Sequence, residues 1–258
     1  MPDSRYIRQE IFPPIGPEGQ RRIGAASAVL VGCGALGSNI ANNLARSGVG
    51  RIRIVDHDVV ELDNLQRQVL FDEGDVRQAT PKAVAAVARL REVNSDIALE
   101  AEVAWVDPAN VGALIAGFDI VMDGSDNVTA RYVLNDACLA SGTPCVFGGA
   151  VAAQGLAMAM VPGRTPCYRC LMPDPPAPGT TPTAATDGIL NSTTAVVGAL
   201  QCALALRILT GTWEPTGDVL CVDVWEQEVT RMAVPRLPDC PACGGLPRPT
   251  PTADGERA

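Results

Sequence analysis

Hydrophobic and polar positions near the start of the chain follow the order of a strand, a helix and a second strand. Residues 27–31 predict a buried strand, residues 38–47 have helical spacing, and residues 51–55 predict the next strand. The turn at residues 32–37 reads Gly-Cys-Gly-Ala-Leu-Gly, and Asp56 follows the second strand. This arrangement is typical of a β-α-β unit that binds phosphate and ribose, because glycines let the backbone approach a phosphate at a helix N-terminus.

The remaining pattern continues the alternation of helices and strands. Further helices are predicted at residues 81–93, 108–116, 128–140 and 193–209, and further strands at 97–103, 118–122, 144–151, 155–161, 219–224 and 229–234. Pro81 suits the first position of its helix, with Thr80 as the cap. We therefore expect an α/β fold with a Rossmann-like, doubly wound, mostly parallel sheet and antiparallel C-terminal strands.

Four segments set the predicted domain organisation. Residues 5–20 contain three prolines and are too broken for a long helix. Residues 162–192 lack clear periodicity and predict a long functional loop, with the crossover at about residues 173–192. Residues 1–245 are expected to form one domain, followed by a disordered tail at 246–258. The apolar run at 194–209 is short for a bilayer and contains Gln201 and Arg207, so it predicts a core helix and no membrane partner.

Composition narrows the class of protein. The chain has 258 residues, of which 47% are hydrophobic, and can bury one large core. Its net charge of −9 argues against a nucleic-acid partner. The first residues lack an apolar signal region, so the nine cysteines are expected to be reduced thiols in a cytoplasmic protein.

Two cysteine pairs predict a metal site. Cys167 and Cys170 form one CxxC motif, and Cys240 and Cys243 form a second. Two such pairs can complete a tetrahedral zinc site that fastens the C-terminus to the core. Four unrelated thiols are the alternative, and a redox role is disfavoured because there are two pairs. The other five cysteines lie in or beside apolar segments and are expected to be buried.

A polar cluster follows the second predicted strand. Residues 56–58 read Asp-His-Asp and residues 64–68 read Asn-Leu-Gln-Arg-Gln. Two acids with arginine and asparagine suit a triphosphate with a metal. Lys82, at the start of a helix, is well placed for a phosphate. His57 is the only histidine, and no serine or cysteine nucleophile motif accompanies it, so it is interpreted as a polar residue beside the site.

These motifs together resemble the E1-like adenylyltransferases that activate ubiquitin-fold sulfur carriers, among them the molybdopterin-synthase and thiamine-carrier activators. The resemblance covers about residues 5–243. It rests on residues 5–9, 32–37, 56–58, 64–68, 81–82 and 123–127 and on both cysteine pairs.

The resemblance implies ATP-dependent adenylation of the C-terminal glycine carboxylate of a small ubiquitin-like protein ending in Gly-Gly, with release of pyrophosphate. The implied nucleotide-binding residues are Gly32, Gly34, Gly37, Asp56, Asp58, Asn64, Arg67, Gln68, Lys82, Asp126 and Asn127. Asp56 would hold the ribose and Asp126 the magnesium ion. The implied catalytic residues are Arg8, Arg67, Lys82 and Asp126, with Arg8 reaching the phosphates of the neighbouring subunit in a homodimer.

One position departs from the family pattern. Many members carry a cysteine in the long loop within Thr-Cys-x-x-x-Gly, whereas residues 183–188 read Thr-Ala-Ala-Thr-Asp-Gly. Ala184 has no nucleophile, so no thioester or persulfide is expected there. Either the enzyme stops at the acyl-adenylate and passes it to a separate sulfur donor, or the alanine is an engineered replacement.

Other functions fit parts of the pattern. The glycine turn alone also fits an NAD-dependent oxidoreductase, which the Arg67 and Asp126 clusters disfavour. Ala184 is compatible with a non-catalytic scaffold that binds carrier and nucleotide. Adenylation of a peptide or of a tRNA-bound nucleoside is a further alternative. The sequence leaves open the carrier and its pathway, whether molybdopterin, thiamine, cysteine, thiolated tRNA or a natural product.

Overall fold

A computed structural model describes residues 4–177, 179–212 and 216–246. Eight strands form one sheet in the order β3-β2-β1-β4-β5-β6-β7-β8, in which β1 to β5 run parallel and β6 to β8 antiparallel. The strands are β1 Ser27–Val31, β2 Arg51–Val55, β3 Ala98–Glu102, β4 Ile120–Asp123, β5 Cys145–Val151, β6 Gln154–Met160, β7 Asp218–Asp223 and β8 Glu228–Ala233. The predicted doubly wound, mostly parallel fold is confirmed.

Helices cover both faces of the parallel strands. They are α1 Ile7–Glu10, α2 Gly16–Ala25, α3 Ala35–Ser47, α4 Glu73–Gln78, α5 Lys82–Val93, α6 Val111–Ile115, α7 Val128–Ser141, α8 Tyr168–Leu171, α9 Ala184–Asp187 and α10 Asn191–Thr210. Successive residues of β1 point to opposite faces: Ala28 and Leu30 join the core under α3, α5 and α10, whereas Val29 and Val31 join the core under α6 and α7.

The register aligns the carboxyl ends of the first four strands. Val31 pairs with Val55 and with Asp123, and Val55 pairs with Glu102. In an open α/β sheet, ligands bind outside this edge, where the strand order reverses between β1 and β4. The loops that follow these four strands are therefore the ones positioned to form a site.

The N-terminal lead-in is more helical than the sequence indicated. Residues 5–20 were expected to be broken by proline, yet α2 starts at Gly16 with Pro17 in its first turn. Proline costs little there because the N–H of a first-turn residue has no partner within the helix. Ile23 of α2 is fully buried, so this helix contributes to the main core.

Helix α10 is the apolar segment that crosses the sheet. It is long and apolar enough to span a membrane by length and composition, and half of its apolar window is buried within the protein. Val197, Gly198 and Ala205 lie against the core, with Gly198 close to Asn39 of α3. Its hydrophobicity is therefore accounted for by packing between α3 and strands β5 and β6, as predicted for a core helix.

Three local details differ from the prediction. Helix α5 begins at Lys82, and Pro81 is its flanking residue without a cap from Thr80, because the Lys82 N–H donates to the Asp58 carbonyl (2.8 Å). Helices α4 and α8 lie in segments for which the sequence pattern predicts loops. The crossover segment contains the short helix α9 and ends where α10 begins at Asn191. The boundary near residue 245 stays a prediction, and the tail at 247–258 lies outside the described residues.

Candidate functional site

The glycine turn brings three backbone segments into contact at the carboxyl edge. Gly32 has a φ of +85°, which disfavours any side chain. A Cβ at Gly37 would collide with the Gly32 carbonyl, and one at Gly124 would meet both Gly32 and Gly37. The first turn of α3 is therefore held tightly against the loop that leaves β4. At Gly34 a Cβ would have only the Gln68 amide nitrogen nearby, 3.8 Å away, so this face of the turn can admit a phosphate.

Asp56 fixes the turn from the neighbouring strand. One carboxylate oxygen accepts from the Cys33 backbone N–H (2.6 Å) and the other from the Asp58 N–H (2.8 Å). Burial raises the pKa of Asp56, against the opposing effects of the two N–H groups and Lys82. Each oxygen retains accepting capacity, so the carboxylate can also receive a ribose hydroxyl.

A buried cation lies beside this carboxylate. The Lys82 Nζ is 3.0 Å from the Asp58 carboxylate, and the lysine side chain is only 9% exposed. Asp58 and His57 are exposed, and the His57 ring stacks edge-on against Trp105 at 4.4 Å. Lys82 lowers the pKa of both Asp56 and Cys33, although burial raises each of them more. An ammonium held at a glycine turn is suited to neutralising phosphate charge.

The segment after β2 folds into one 3-10 turn, Leu62–Asn64, with a reciprocal cap between Glu61 and Asn64. The Asn64 carbonyl accepts from the N–H groups of Arg67 and Gln68, which closes the next turn. Gln68 is 4% exposed, and its side-chain oxygen has no hydrogen-bond partner in the described structure. A buried amide oxygen without a partner costs about 1–3 kcal/mol, so its place beside the glycine turn indicates room for a polar ligand.

Arg67 and Asp126, which the sequence predicts to bind phosphate and magnesium, are more exposed than the buried site residues described above. Arg67 donates to the Asp63 carbonyl (2.6 Å) and lines a groove of about 260 Å³ with Asn191 and Ser192 at the start of α10. Asp126 is exposed in the loop after β4, which Gly124 anchors to the glycine turn. Asn127 caps α7 by accepting from the Thr129 N–H (2.8 Å), so its structural task is the start of that helix.

Sequence reasoning missed a buried ion pair behind the Asp126 loop. The Arg131 Nε donates to the Asp123 carboxylate (3.0 Å), and Asp123 is fully buried. Gln201 of α10 donates to the Asp123 carbonyl from the opposite side (2.8 Å). The sequence does contain a signal for this ion pair, because Asp123 ends a buried strand and Arg131 lies one helical turn into α7. The prediction, however, used only the exposed residues of this motif.

Arg8 does not lie near the carboxyl edge of the sheet in its own chain. Gln9, its neighbour on α1, donates to the Ser47 carbonyl (3.1 Å), and the Tyr6 hydroxyl accepts from Asn94 (2.8 Å). Ser47 and Asn94 lie at the far ends of α3 and α5, which both start at the carboxyl edge. A helix of the length of α3 spans about 20 Å. Arg8 is therefore separated from the glycine turn of its own chain by about that distance.

The four cysteines converge as predicted. The Cys167 and Cys170 sulfurs are 3.9 Å apart, those of Cys167 and Cys240 3.6 Å, and those of Cys170 and Cys243 3.4 Å. Ligands at about 2.3 Å from a tetrahedral zinc ion are separated by about 3.8 Å, so the cluster matches that geometry. Although burial raises it, the backbone N–H groups of Cys243 and Ala242 lower the pKa of Cys240 to about 7, whereas burial raises the pKa of Cys167 and of Cys170. A bound cation would therefore be needed to hold all of these side chains as thiolates.

The sheet order, the glycine turn and the polar loop define a nucleotide-binding α/β protein of the Rossmann-like class. The chain belongs to the ThiF family, which it matches over residues 6–242. It is 43% identical over 241 residues to the SAMP-activating enzyme E1 of Haloferax volcanii, covering 93% of this chain and 88% of the relative. The predicted membership of the E1-like adenylyltransferases is confirmed.

Two further relatives frame the comparison. The sulfur carrier protein adenylyltransferase of Thermus thermophilus is 40% identical over 258 residues, covering 98% of this chain and 94% of the relative. The crystal structure of E. coli MccB with SeMet MccA superposes with a TM-score of 0.81 at 24% identity, over 95% of this chain and 75% of that chain. This second likeness supports the fold alone.

Proposed function

We propose that this protein uses ATP to adenylate the C-terminal glycine carboxylate of a ubiquitin-like sulfur-carrier protein. One relative is named a SAMP-activating enzyme, and two others are named sulfur carrier protein adenylyltransferases. The observation that carries the proposal is the buried Lys82 ammonium beside the glycine turn. Asp56 and Gln68 lie at the same carboxyl edge of the sheet. An NAD-dependent oxidoreductase has less use for such a cation, because its pyrophosphate carries less charge than a triphosphate.

The reaction needs little acid–base chemistry from the protein. A carboxylate is ionised at neutral pH. One of its oxygens attacks the α-phosphorus, a new phosphorus–oxygen bond forms, and the bond to the β-phosphate bridge breaks with its electron pair leaving on pyrophosphate. The products are an acyl-adenylate and pyrophosphate. Catalysis then consists of positioning and charge stabilisation, which explains how an exposed His57 can be dispensable.

Each site residue has a task in this proposal. Asp56 orients the ribose while holding the glycine turn through Cys33. Lys82, Arg67 and Asn64 bind the phosphates. Asp126 holds a magnesium ion, since a carboxylate and phosphate oxygens are the ligands that Mg²⁺ prefers. The four cysteines bind zinc, which fits the sulfur separations, and this zinc fastens residues 240–243 to the core.

Arg8 would supply charge stabilisation to a second copy of the chain. The carboxyl edge of the sheet, with the glycine turn and the loops around it, is called the nucleotide edge below. Arg8 lies on α1, at the end of the molecule opposite the nucleotide edge of its own chain, and this position supports a homodimer with shared sites. An arginine on transition-state phosphate charge can contribute about 10³-fold or more in rate. Mixing an Arg8→Ala chain with an Asp126→Ala chain should produce heterodimers with one intact site. Activity no higher than that of either parent would refute the shared site.

A separate protein would supply the sulfur. Ala184 is exposed at the start of α9 and has no nucleophile. Cys33 is the cysteine nearest the nucleotide edge, but it is fully buried, and burial strongly raises its pKa. We expect the adenylate to be handed directly to a cytoplasmic sulfur donor.

ATP–pyrophosphate exchange with a purified ubiquitin-like carrier tests the proposed reaction. Labelled pyrophosphate should enter ATP only in the presence of magnesium and of a carrier with its last glycine. The Asp126→Ala variant should lose at least about 10²-fold in exchange rate, since it removes the metal that offsets the triphosphate charge. Nucleotide binding without exchange for any carrier would support the non-catalytic scaffold, and reduction of a bound nicotinamide would support the oxidoreductase.

A further inference from the structure

Arg131 contacts both ends of the turn that follows β4. Its Nε donates to the Asp123 carboxylate (3.0 Å), and its terminal nitrogen donates to the Ser125 carbonyl (3.1 Å). The other Asp123 oxygen accepts from the Ser125 N–H (3.0 Å) and hydroxyl (2.6 Å). The guanidinium fork thus closes a ring of hydrogen bonds immediately before Asp126. A lysine could not reproduce this geometry, because its ammonium is a single point charge.

Helix α7, which carries Arg131, packs beside the segment of the first cysteine pair. Burial lowers the pKa of Arg131, but the neighbouring Asp123 carboxylate and Tyr168 side chain raise it above its usual value. Tyr168 lies in the chain between Cys167 and Cys170, and its ring packs against Tyr132 and Phe147 at 5.3 and 5.2 Å. Helix α7 therefore contacts the residue beside a cysteine ligand and, through Arg131, the loop that carries Asp126.

Helix α7 makes a second contact with the same cysteine segment. The buried Asn135 accepts from the Tyr168 backbone N–H (2.8 Å) through its side-chain oxygen. Arg131 and Asn135 are separated by one helical turn and lie on the same face. The residues around the first cysteine pair are thus attached to α7 through Asn135, and the same helix holds the Asp123–Ser125 turn through Arg131.

We propose that Arg131 is a positioning residue that holds the loop of residues 124–127, and that helix α7 ties the geometry of this loop to the four-cysteine cluster through the hydrogen bond between Asn135 and the Tyr168 N–H. The functional part of this inference rests on the proposed adenylation. Asp126 can hold a metal against the triphosphate only while its loop stays in place, and a displacement of about 1 Å can cost about 10²-fold in rate. The cysteine cluster then acts on the nucleotide edge in addition to fastening the C-terminus.

Arg169 provides a matched control. It also pairs with an aspartate of α7, since its guanidinium donates twice to the Asp136 carboxylate (3.0 and 2.7 Å) and lies 4.6 Å from the Tyr132 ring. It lies in the same cysteine segment, but its ion pair is on the outer side of α7, with the Asp136 side chain 49% exposed. Removing it perturbs α7 and the cysteine segment without touching the Asp123–Ser125 turn.

Amide hydrogen exchange of the nucleotide-free protein tests the structural part without any substrate. In Arg131→Gln, amides of residues 124–127 should exchange about tenfold faster or more, because a buried charged hydrogen bond is lost. Arg169→Gln should leave them unchanged. Asn135→Ala, which removes the acceptor of the Tyr168 N–H, should accelerate the same amides by a smaller factor at unchanged zinc content. Unchanged exchange in Arg131→Gln, or equal acceleration in Arg169→Gln, overturns the proposal, and unchanged exchange in Asn135→Ala overturns the tie to the cysteines.

Pyrophosphate exchange kinetics test the functional part. Arg131→Gln should lower the maximal rate by about 10²-fold and raise the magnesium concentration for half-maximal rate, whereas Arg169→Gln should stay within about twofold. Arg131→Lys should recover part of the rate, and it replaces Arg131→Gln in both assays if that variant does not fold. If the wild-type protein shows no pyrophosphate exchange with any carrier, the proposed adenylation is refuted, while the amide exchange still tests the role of Arg131. If the wild type is active and a folded Arg131→Gln variant is equally active, only the positioning role is refuted.

Discussion

The nucleotide edge and the four-cysteine cluster reach fixed geometry by opposite means. The edge is assembled from segments that follow neighbouring strands, and its closest contacts are between glycine backbones of the turn and the Gly124 loop. The cysteine cluster joins two pairs 73 residues apart, and four buried thiols have little reason to stay together without a metal. The first site is held by shape, whereas the second would be held by ligation of the proposed zinc ion, so the two sites should fail under different perturbations.

Loss of a cysteine ligand should have the largest effect. Structural zinc can contribute on the order of 10 kcal/mol to folding, so Cys240→Ser or strong chelation should unfold the segment of residues 236–246 and lower the melting temperature. Metal analysis of the wild type should give one zinc per chain. The control is Cys221→Ser, since Cys221 lies on β7 away from the cluster and its replacement should change the free energy of unfolding by about 1 kcal/mol or less. Full thermal stability of Cys240→Ser would refute the zinc site.

A methyl group in the glycine turn should have an intermediate effect confined to the other site. Gly37→Ala forces its Cβ into the Gly32 carbonyl and should destabilise the protein by about 1–3 kcal/mol while weakening ATP binding. Zinc content should be unchanged. Gly112→Ala is the control, because a Cβ there meets nothing within 4 Å and should stabilise α6 by about 0.5–1 kcal/mol. Urea titration and calorimetric ATP titration measure the two effects, and equal stability of both variants would contradict tight closure at Gly37.

Restoring a thiol to the crossover loop should have the smallest effect on stability. Ala184 is exposed, so Ala184→Cys should change the free energy of unfolding by about 0.5 kcal/mol or less. Its chemistry should nevertheless change, because a thiolate can attack the acyl-adenylate. Intact mass spectrometry with carrier and ATP under non-reducing conditions should show a thiol-labile conjugate for Ala184→Cys alone. A conjugate on the wild type would mean that another cysteine takes this role, and Ala184→Ser is the control without a thiol.

Local signals accounted for most of the fold and for the exposed part of the site. The β-α-β unit, the parallel order and the cysteine pairs follow from periodicity and spacing, which the chain displays directly. The missed features depend on tertiary contacts. Helix α2 is stabilised by the burial of Ile23, and the Arg131–Asp123 pair becomes meaningful only once α7 lies against β4. A sequence pattern shows which side chains are polar but does not show which of them meet in the interior.

The 73-residue separation within the cysteine cluster also affects synthesis of the chain. The glycine turn, β4 and Arg131 leave the ribosome before the first cysteine pair does. At about 5–20 residues per second, Cys167 and Cys170 must wait roughly 4–15 s for their partners. The strands and the turn of the nucleotide edge therefore emerge before all four thiols are available, and the second cysteine pair would be the one that completes the proposed zinc site.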